Sequence, residues 1–535
     1  MKYFKKIHVI LLASIISVAC EADFEETNRN PNEPVNVSPA YLLNTSIFNT
    51  INLFGGDMRE RVFSHYSHYV SVGGGQFERY ATFPASNNGY WETAYVDCLQ
   101  PLQQIQLNYG DDPEFNNRVA IAKIFENYLF SQIVAIWGSV PKTHALTGEP
   151  YIPYDKEEEI YYDILADLKE AAESIEIGGD KYSSSADAIY NGDLEKWRKF
   201  AITLRLRIAV RLSNANEGEA NNVITEILTN ESQTISSQDE TANAFWGTNS
   251  STWSYLYQEN VVEAVSNASS LAVINESLIQ YMLPYEDPRL PIYAEPASQG
   301  PREGEYFGQP KTTDLPEGVE MNPNPHLDLA PADYSMIGDY FLRPDEEFVF
   351  LSYAESSFLK SEAALKGWGG TKSAEEYYTE GITASMAKYN IPKQDINIYL
   401  EKPGIAWNTA VDTTGRGNEF TDFIGITTSA ILEPDPFRQI VMQDWIAGFY
   451  QGLDAWTLIR RTQVLEFPPH FNPDEGEGGT VGYAHIPQRI KYPDIEYQVN
   501  LPELEKALQW LDGPDALKTK LWFALPTKTN PFLPE

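Results

Sequence analysis

The sequence predicts a mostly α-helical fold, and three of its properties carry that prediction. Apolar residues recur at steps of three and four over long segments, which is the period of an amphipathic helix. Capping residues and glycines bound several of these segments. The hydrophobic fraction is 42% of 535 residues, too high for a disordered acidic chain. The formal charge of −37 argues against a nucleic-acid partner, because phosphate backbones would be repelled.

The amino-terminal segment has the layout of an export signal. Three lysines precede an apolar run from Ile7 to Val18, which is too short to span a bilayer, and small Ala19 leads into Cys20. Ser17–Cys20 is similar to a bacterial lipoprotein box. We therefore predict a lipoprotein signal peptide over residues 1–19, lipidation of Cys20 and a flexible tether over 20–38; the alternative is a plain secretory signal.

We predict that residues 39–535 form one domain, built mainly from successive helices. The segment 119–137 is apolar on nearly all sides, so its helix should be central. Neighbouring helices joined by short turns indicate a tetratricopeptide-like scaffold of helix pairs, with few short strands. The predicted helical ranges are 39–54, 91–108, 119–137, 156–177, 194–212, 218–229, 270–282, 349–366, 373–389, 437–450 and 503–511.

Several helix starts carry capping signals. Asp193 precedes the helix at 194–212, and Ser373 with Glu376 has the spacing of a capping box. Asp155 with Glu158 has the same spacing before 156–177. The helix at 194–212 is unusually basic, and we expect its arginines to pair with carboxylates of neighbouring helices.

Long Pro/Gly/Asn-rich stretches separate the helix pairs and form a predicted large loop-rich lobe. Connections of this length in a compact protein are functional or disordered, and their aromatic content favours packed, functional loops. These stretches are 64–90, 240–260, 284–345, 400–435 and 468–500.

Motifs for catalysis are absent from the sequence. It contains neither G-x-S-x-G nor a phosphate-binding G-x-x-x-x-G-K-[ST] loop. His65 and His68 are too few for zinc, so we expect exposed or stacking histidines. The acidic loop 474–477 lacks the calcium-loop order, which leaves calcium possible but unsupported, and we predict no cofactor. A glycosidase needs only two carboxylates, so an exported all-α hydrolase stays open.

Six segments carry motifs of one known family: Trp137–Pro141, Tyr161–Ala171, Gly192–Arg211, Asp287–Pro291, Tyr353–Ala364 and Tyr492–Glu496. Through them the chain resembles, across essentially its whole length, the SusD/RagB family of outer-membrane nutrient-binding lipoproteins, in the SusD-like branch. Two positions depart from the family pattern near the C-terminal helices, where Gln443 and Asp454 stand in place of glutamates.

The resemblance implies a non-catalytic protein of the cell outer membrane, lipid-anchored and facing the exterior. Family members bind oligosaccharides, or in some cases peptides, and deliver them to a SusC-like TonB-dependent transporter. Glycan is the predicted ligand; a peptide or another nutrient is the alternative within the same class. A lid that docks the transporter without touching ligand is a third possibility.

Ligand-contacting side chains are expected in the aromatic loops, because sugar rings stack on flat aromatic faces. Trp137, Trp197 and Trp456 lie on helical faces and are expected in the core. The candidate ligand-binding residues are Trp246, Asn249 and Trp253 in loop 240–257, Tyr80, Tyr90 and Trp91 in loop 77–92, and Trp407 in a third loop.

Overall fold

Helices joined by turns form most of the molecule. The computed structural model describes residues 37–71, 84–263, 272–309, 329–412, 431–465, 467 and 486–525. Cys20, Tyr80, the signal peptide, most of the tether and the loop 474–477 lie outside the described residues. The α-helices of six or more residues are α1 (Pro39–Asn52), α2 (Pro84–Glu92), α3 (Gln100–Tyr109), α4 (Asn116–Trp137), α5 (Glu157–Ser174), α6 (Leu194–Arg211), α7 (Glu217–Leu228), α8 (Glu276–Met282), α9 (Tyr353–Leu365), α10 (Ala374–Ala387), α11 (Lys393–Leu400), α12 (Pro436–Ala447), α13 (Gly452–Thr462), α14 (Asp494–Val499) and α15 (Leu501–Leu508).

The helix α4 is central, as its sequence predicts. Its side chains are buried around the whole circumference, including Trp137. Within the described residues, Pro113–Trp137 is the one helix long and apolar enough to cross a membrane, yet 83% of its apolar window is buried inside the fold. Burial against other helices satisfies this apolar surface, so α4 is a core helix.

Consecutive helices pack in the stacked arrangement that the sequence predicts. Along the chain, α3 packs on α4, α4 on α5, α5 on α6 and α6 on α7, while α9 packs on both α10 and α12. One hydrophobic cluster contains buried side chains from α1 through to Phe523. The mostly α-helical, helix-pair fold is therefore confirmed.

Strands are few and short among the described residues, also as predicted. Each sheet has two antiparallel strands: β1 (Val70–Ser71) with β3 (Val273–Ile274), β2 (Ala242–Phe245) with β4 (Glu347–Leu351), and β5 (Val411–Asp412) with β6 (Ile431–Leu432). Pairing of β2 with β4 joins chain segments that are about a hundred residues apart and holds an aromatic loop beside the helices.

Three predicted boundaries are wrong. The helix expected at 91–108 begins earlier, at Pro84, and continues through a π-helical segment, Thr93–Leu99, into α3. Leu351, expected in a helix, ends strand β4, because the apolar run that contains it pairs with β2. The helix expected at 270–282 spans only Glu276–Met282, because β3 precedes it.

Local capping is confirmed at two of three predicted sites. The Asp193 carboxylate accepts from two backbone N–H groups of α6, and Ser373 forms a capping box with Glu376. Asp155 does not cap α5; its Oδ2 accepts instead from the backbone N–H groups of Lys142 and Thr143, at 2.7 and 2.8 Å. The sequence pattern predicted that the Asp155 carboxylate would cap α5. In the structure this carboxylate binds backbone N–H groups outside the helix instead.

The basic helix α6 pairs with carboxylates, as predicted. Arg205 makes a bidentate contact to Glu226 on α7, at 3.1 and 3.0 Å. Arg207 binds Glu355 on α9 through two nitrogens, both at 2.5 Å. These guanidinium groups therefore hold α6 to its neighbours.

Both histidines are buried, so neither is exposed, and His68 takes the stacking alternative. His65 and His68 are 0% and 2% exposed, and the His68 ring stacks on Phe467 with centroids 4.2 Å apart. Within the described ranges, no group of three or more His, Cys, Asp or Glu side chains could hold a metal ion.

Gln443 replaces a carboxylate without leaving a charge unpaired. Its Oε1 accepts from Arg289 Nη2 at 2.7 Å, and its Nε2 donates to the Tyr399 hydroxyl at 2.9 Å. Asp287 already pairs with the same guanidinium at 2.6 Å. The neutral amide of Gln443 is sufficient here because Asp287 already serves as the counter-ion of the buried Arg289.

Asp454 is a shorter acid than the family pattern carries, and its contacts are long. Its Oδ1 lies 3.5 Å from Arg207 Nη1, 3.7 Å from Arg211 Nη2 and 3.4 Å from Gln132 Nε2. Cavities of about 40 and 60 Å³ flank this carboxylate.

Asp454→Glu is expected to stabilise the fold. The extra methylene carries the carboxylate toward the two arginines, and closing these contacts should raise the free energy of unfolding by about 1 kcal/mol. Urea denaturation measures the change. Asp163→Glu, at an exposed position on α5, is the control and should change stability little. A loss of stability at Asp454→Glu alone would show overpacking and contradict the prediction.

Candidate functional site

A carboxylate and a guanidinium lie at the surface where α1 continues into two π-helical segments, Leu53–Asp57 and Arg59–Phe63. The side chains of Asp57 and Arg61 are 36% and 48% exposed, and Arg61 Nε lies 2.5 Å from Asp57 Oδ1. One helical turn separates them, so the pair shares a face. Both groups are accessible to a ligand.

Two tyrosines from distant parts of the chain converge on the same carboxylate. The Tyr255 hydroxyl donates to Asp57 Oδ1 at 2.9 Å, and the Tyr90 hydroxyl donates to Oδ2. Burial raises the pKa of both phenols, and the charge of Asp57 raises each of them further. Both hydroxyls therefore remain protonated donors, and Asp57 is fixed in position as an acceptor.

Two partly exposed aromatic rings lie two positions before and two positions after Tyr255, on the chain segment that follows β2. Trp253 and Tyr257 pack edge to face, with ring centroids 5.3 Å apart and planes at 81°. Trp253 Nε1 donates to the Thr248 carbonyl at 3.0 Å, and the Ser254 side chain caps the turn that carries Tyr255 and Tyr257. We call Asp57, Arg61, Tyr90, Trp253, Tyr255 and Tyr257 the Asp57 surface.

Trp246 packs against the helical segment that carries Asp57. We predicted this side chain to be exposed, and that prediction is wrong. The side chain is 3% exposed, and its Nε1 donates to Asn52 Oδ1 at 3.1 Å. The Trp246 ring lies close to Gly55. A Cβ atom added to this glycine would be 2.6 Å from the Trp246 ring and 2.5 Å from the Phe348 ring. Gly55 thus permits the loop to pack against the helical segment that carries Asp57.

Tyr90 and Trp91 are also more buried than predicted, each at 7% exposure. They lie on α2, and Trp91 packs edge to face on Trp137 with centroids 5.2 Å apart. The expectation treated residues 77–92 as one loop, whereas a helix directs these rings into the core. The hydroxyl of Tyr90 still reaches Asp57.

The remaining residues predicted to bind ligand, Asn249 and Trp407, lie in different segments of the chain. Asn249 is exposed in the loop that carries Trp253, where its carbonyl accepts from the backbone N–H of Thr252 at 2.8 Å. Trp407 is half-buried against Tyr378 of α10, with centroids 5.2 Å apart. Trp137, Trp197 and Trp456 are fully buried, as expected.

Sequence reasoning missed Asp57 and Arg61 as site residues. They follow Gly55-Gly56 at the end of a predicted scaffold helix, and that glycine pair is the one local signal of a change in backbone at this point. Gly56 indeed has non-helical dihedral angles, φ −102° and ψ −125°.

Stacked helix pairs form the scaffold of this protein, and a partly exposed surface of aromatic and charged side chains lies on it. Residues 31–493 match the profile of a SusD-like family described as starch-binding and associating with the outer membrane. The match covers most of the chain, and the protein belongs to this family.

Solved structures share the fold. A chitin-binding protein is 23% identical, with a TM-score of 0.73 over 91% of this chain and 100% of its own. A chitin-binding SusD homologue from Flavobacterium johnsoniae is 20% identical, with a TM-score of 0.72 over 91% and 99%. A SusD homologue from Bacteroides uniformis is 21% identical, with a TM-score of 0.72 over 91% and 100%. No curated protein matches the chain.

Proposed function

We propose that this protein binds oligosaccharides at the cell surface and delivers them, unchanged, to a SusC-like TonB-dependent outer-membrane transporter. The observation that carries the proposal is the Asp57 surface, in a chain whose family is described as starch-binding. The chitin-binding neighbours make chitin oligosaccharides the first ligands to test.

The chemistry of the Asp57 surface suits a sugar. The exposed faces of Trp253 and Tyr257 can stack on the apolar face of a pyranose ring. Asp57 can accept from sugar hydroxyl groups, and Arg61 can donate to ring and hydroxyl oxygens. Because the two tyrosines hold Asp57 in place, little side-chain entropy is lost on binding.

Binding without turnover is part of the same proposal. A glycosidase needs one protonated carboxylic acid beside a second carboxylate. The Asp57 carboxylate instead accepts from two tyrosine hydroxyls and pairs with Arg61, so its oxygens hold the neighbouring side chains in place. Incubation with candidate glycans should yield no shortened products.

Attachment to the membrane is proposed through acyl chains on Cys20. The described chain begins at Val37, whose carbonyl accepts from the Tyr109 hydroxyl at 3.2 Å. Residues 21–36 would then separate the lipidated cysteine from the folded helices and allow the binding face to turn outward. Docking to the transporter is part of the same proposal.

Trp253→Ala is expected to weaken glycan binding about tenfold, because one aromatic stacking partner is worth on the order of 1 kcal/mol. Soluble protein lacking residues 1–20 is first screened on a glycan and peptide array, and the affinity for the best ligand is then measured by calorimetry. Trp510→Ala is the matched control: this tryptophan is 40% exposed and lies after α15, against Lys156. A silent array, or equal losses in both variants, would refute glycan binding at this surface.

A further inference from the structure

A buried arginine lies in the chain between the two exposed charges of the Asp57 surface. Arg59 begins the second π-helical segment, two positions after Asp57 and two positions before Arg61. Its side chain is 2% exposed, whereas the side chains of Asp57 and Arg61 are partly exposed. The guanidinium carbon of Arg59 lies over the Trp246 ring, 5.5 Å from the ring centroid. Arg59 therefore contacts the loop after β2 from the segment that carries the exposed charges.

Two carboxylates pair with this guanidinium, and they differ in what they join. Glu346 accepts from Nη1 at 2.8 Å and from Nη2 at 3.0 Å, and its side chain is 3% exposed. Glu60, the next residue in the chain, accepts from Nε at 2.8 Å. The pair with Glu60 stays within one helical segment, whereas the pair with Glu346 joins residues 287 positions apart. A bidentate pair fixes orientation as well as distance.

The chain just before β4, which contains Glu346, holds both ends of the loop that carries Trp253. The Glu346 carbonyl accepts from the backbone N–H of Trp246 at 3.1 Å. The Pro344 carbonyl accepts from the backbone N–H of Ser254 at 2.8 Å. Because Ser254 follows Trp253 directly, the position of this ring depends on where the chain before β4 lies.

We propose, building on the glycan-binding function above, that the Arg59–Glu346 ion pair is the positioning pair of the Asp57 surface. It fixes the Trp253 ring relative to the Asp57 carboxylate. A sugar that stacks on the ring while it donates to the carboxylate needs both groups held to within about 0.5 Å of the productive geometry. Arg59 and Glu346 are buried, so they act on the ligand only through the residues that they position.

Glu346→Gln and Glu60→Gln form a matched pair of variants. Each replaces one carboxylate on the same guanidinium by an amide of nearly the same shape. Only the change at Glu346 weakens the contact between the helical segment and the chain that holds the loop. Burial raises the pKa of both carboxyl groups, that of Glu60 to about 7, so measurements at pH 8 compare the loss of two ionised groups.

Amide hydrogen exchange tests the positioning pair without any ligand. In Glu346→Gln, exchange at the backbone N–H groups of Trp246 and Ser254 should be about tenfold faster than in the wild type, because the loop opens more often. In Glu60→Gln it should be unchanged. Circular dichroism verifies that each variant is folded.

Calorimetry then measures binding by the soluble protein lacking residues 1–20. A chitin oligosaccharide is the first probe, and the best ligand from the array replaces it if it does not bind. The affinity should fall about tenfold in Glu346→Gln and stay at the wild-type value in Glu60→Gln.

Arg59→Lys provides a second test that keeps the positive charge, and it decides the question if Glu346→Gln does not fold. An ammonium group makes a single-point contact in place of the bidentate one. Exchange at Trp246 and Ser254 should again be faster than in the wild type, and the affinity should be lower.

Equal effects in the two glutamine variants would show that Glu346 serves only as a counter-ion, and they would overturn the proposal. Unchanged exchange in Glu346→Gln and Arg59→Lys would overturn it too, as would faster exchange with unchanged affinity. Failure of the wild type to bind any glycan, in these measurements and on the array, overturns the proposed function instead. The exchange data then decide separately whether the pair holds the loop.

Discussion

Asp57→Ala is expected to weaken glycan binding about 100-fold, or by about 3 kcal/mol. The carboxylate is the common acceptor for Tyr90 and Tyr255 and the counter-ion of Arg61. Its removal leaves the largely buried hydroxyl of Tyr90 without its acceptor and allows Arg61 to move. The variant thus loses a direct ligand contact and the fixed geometry of its neighbours.

Calorimetry with the best array ligand measures this loss, and thermal unfolding verifies the fold. Asp57→Asn keeps an acceptor oxygen and should fall between the wild type and Asp57→Ala. Asp111→Ala, at an exposed position between α3 and α4, is the control and should bind like the wild type. Unchanged affinity in Asp57→Ala would show that the ligand binds elsewhere.

Glu362→Gln is expected to lower the free energy of unfolding by about 3–5 kcal/mol. Glu362 on α9 accepts two hydrogen bonds from Arg461 of α13, both at 2.7 Å, and one from Lys366 at 2.8 Å. The Glu362 and Arg461 side chains are 4% and 5% exposed. The amide would leave a buried guanidinium without its counter-ion. Urea denaturation measures the loss, and Glu170→Gln, whose side chain is 76% exposed, should change stability by less than about 0.5 kcal/mol.

The same carboxylate makes stability depend on pH. Burial alone would raise the pKa of Glu362, but Arg461 and Lys366 outweigh it and lower the pKa from 4.5 to about 2. The lowered pKa contributes about 3 kcal/mol that is present above pH 4.5 and is lost as the pH falls toward 2. Glu362→Gln should therefore remove part of the acid sensitivity of the wild type. Parallel stability curves for the two proteins between these pH values would contradict the assignment.

The sequence identified most of the scaffold because its signals are local. Helical period, the Asp193 cap and the Ser373–Glu376 capping box depend on residues within a few turns of each other, and all three recur in the structure. The surplus of acids likewise predicted that the arginines of α6 would pair with neighbouring carboxylates. Burial of Trp137, Trp197 and Trp456 followed from their helical faces.

Tertiary structure alone decided which loop aromatics are exposed. Trp246 and Trp253 lie seven positions apart in one aromatic loop, yet the first is buried against Gly55 and the second is partly exposed. Composition cannot distinguish them, because the side that faces solvent depends on where β2 pairs with β4.

By itself, the sequence determined a helical, strongly acidic chain with aromatic loops and the motifs of its family. Packing decided the site, because Asp57 meets Tyr90 and Tyr255 across 33 and 198 positions of the chain. A periodic pattern records which face of one helix is apolar. It carries no information on which distant side chains share a carboxylate, since that contact forms only when the helices and the loop are packed together.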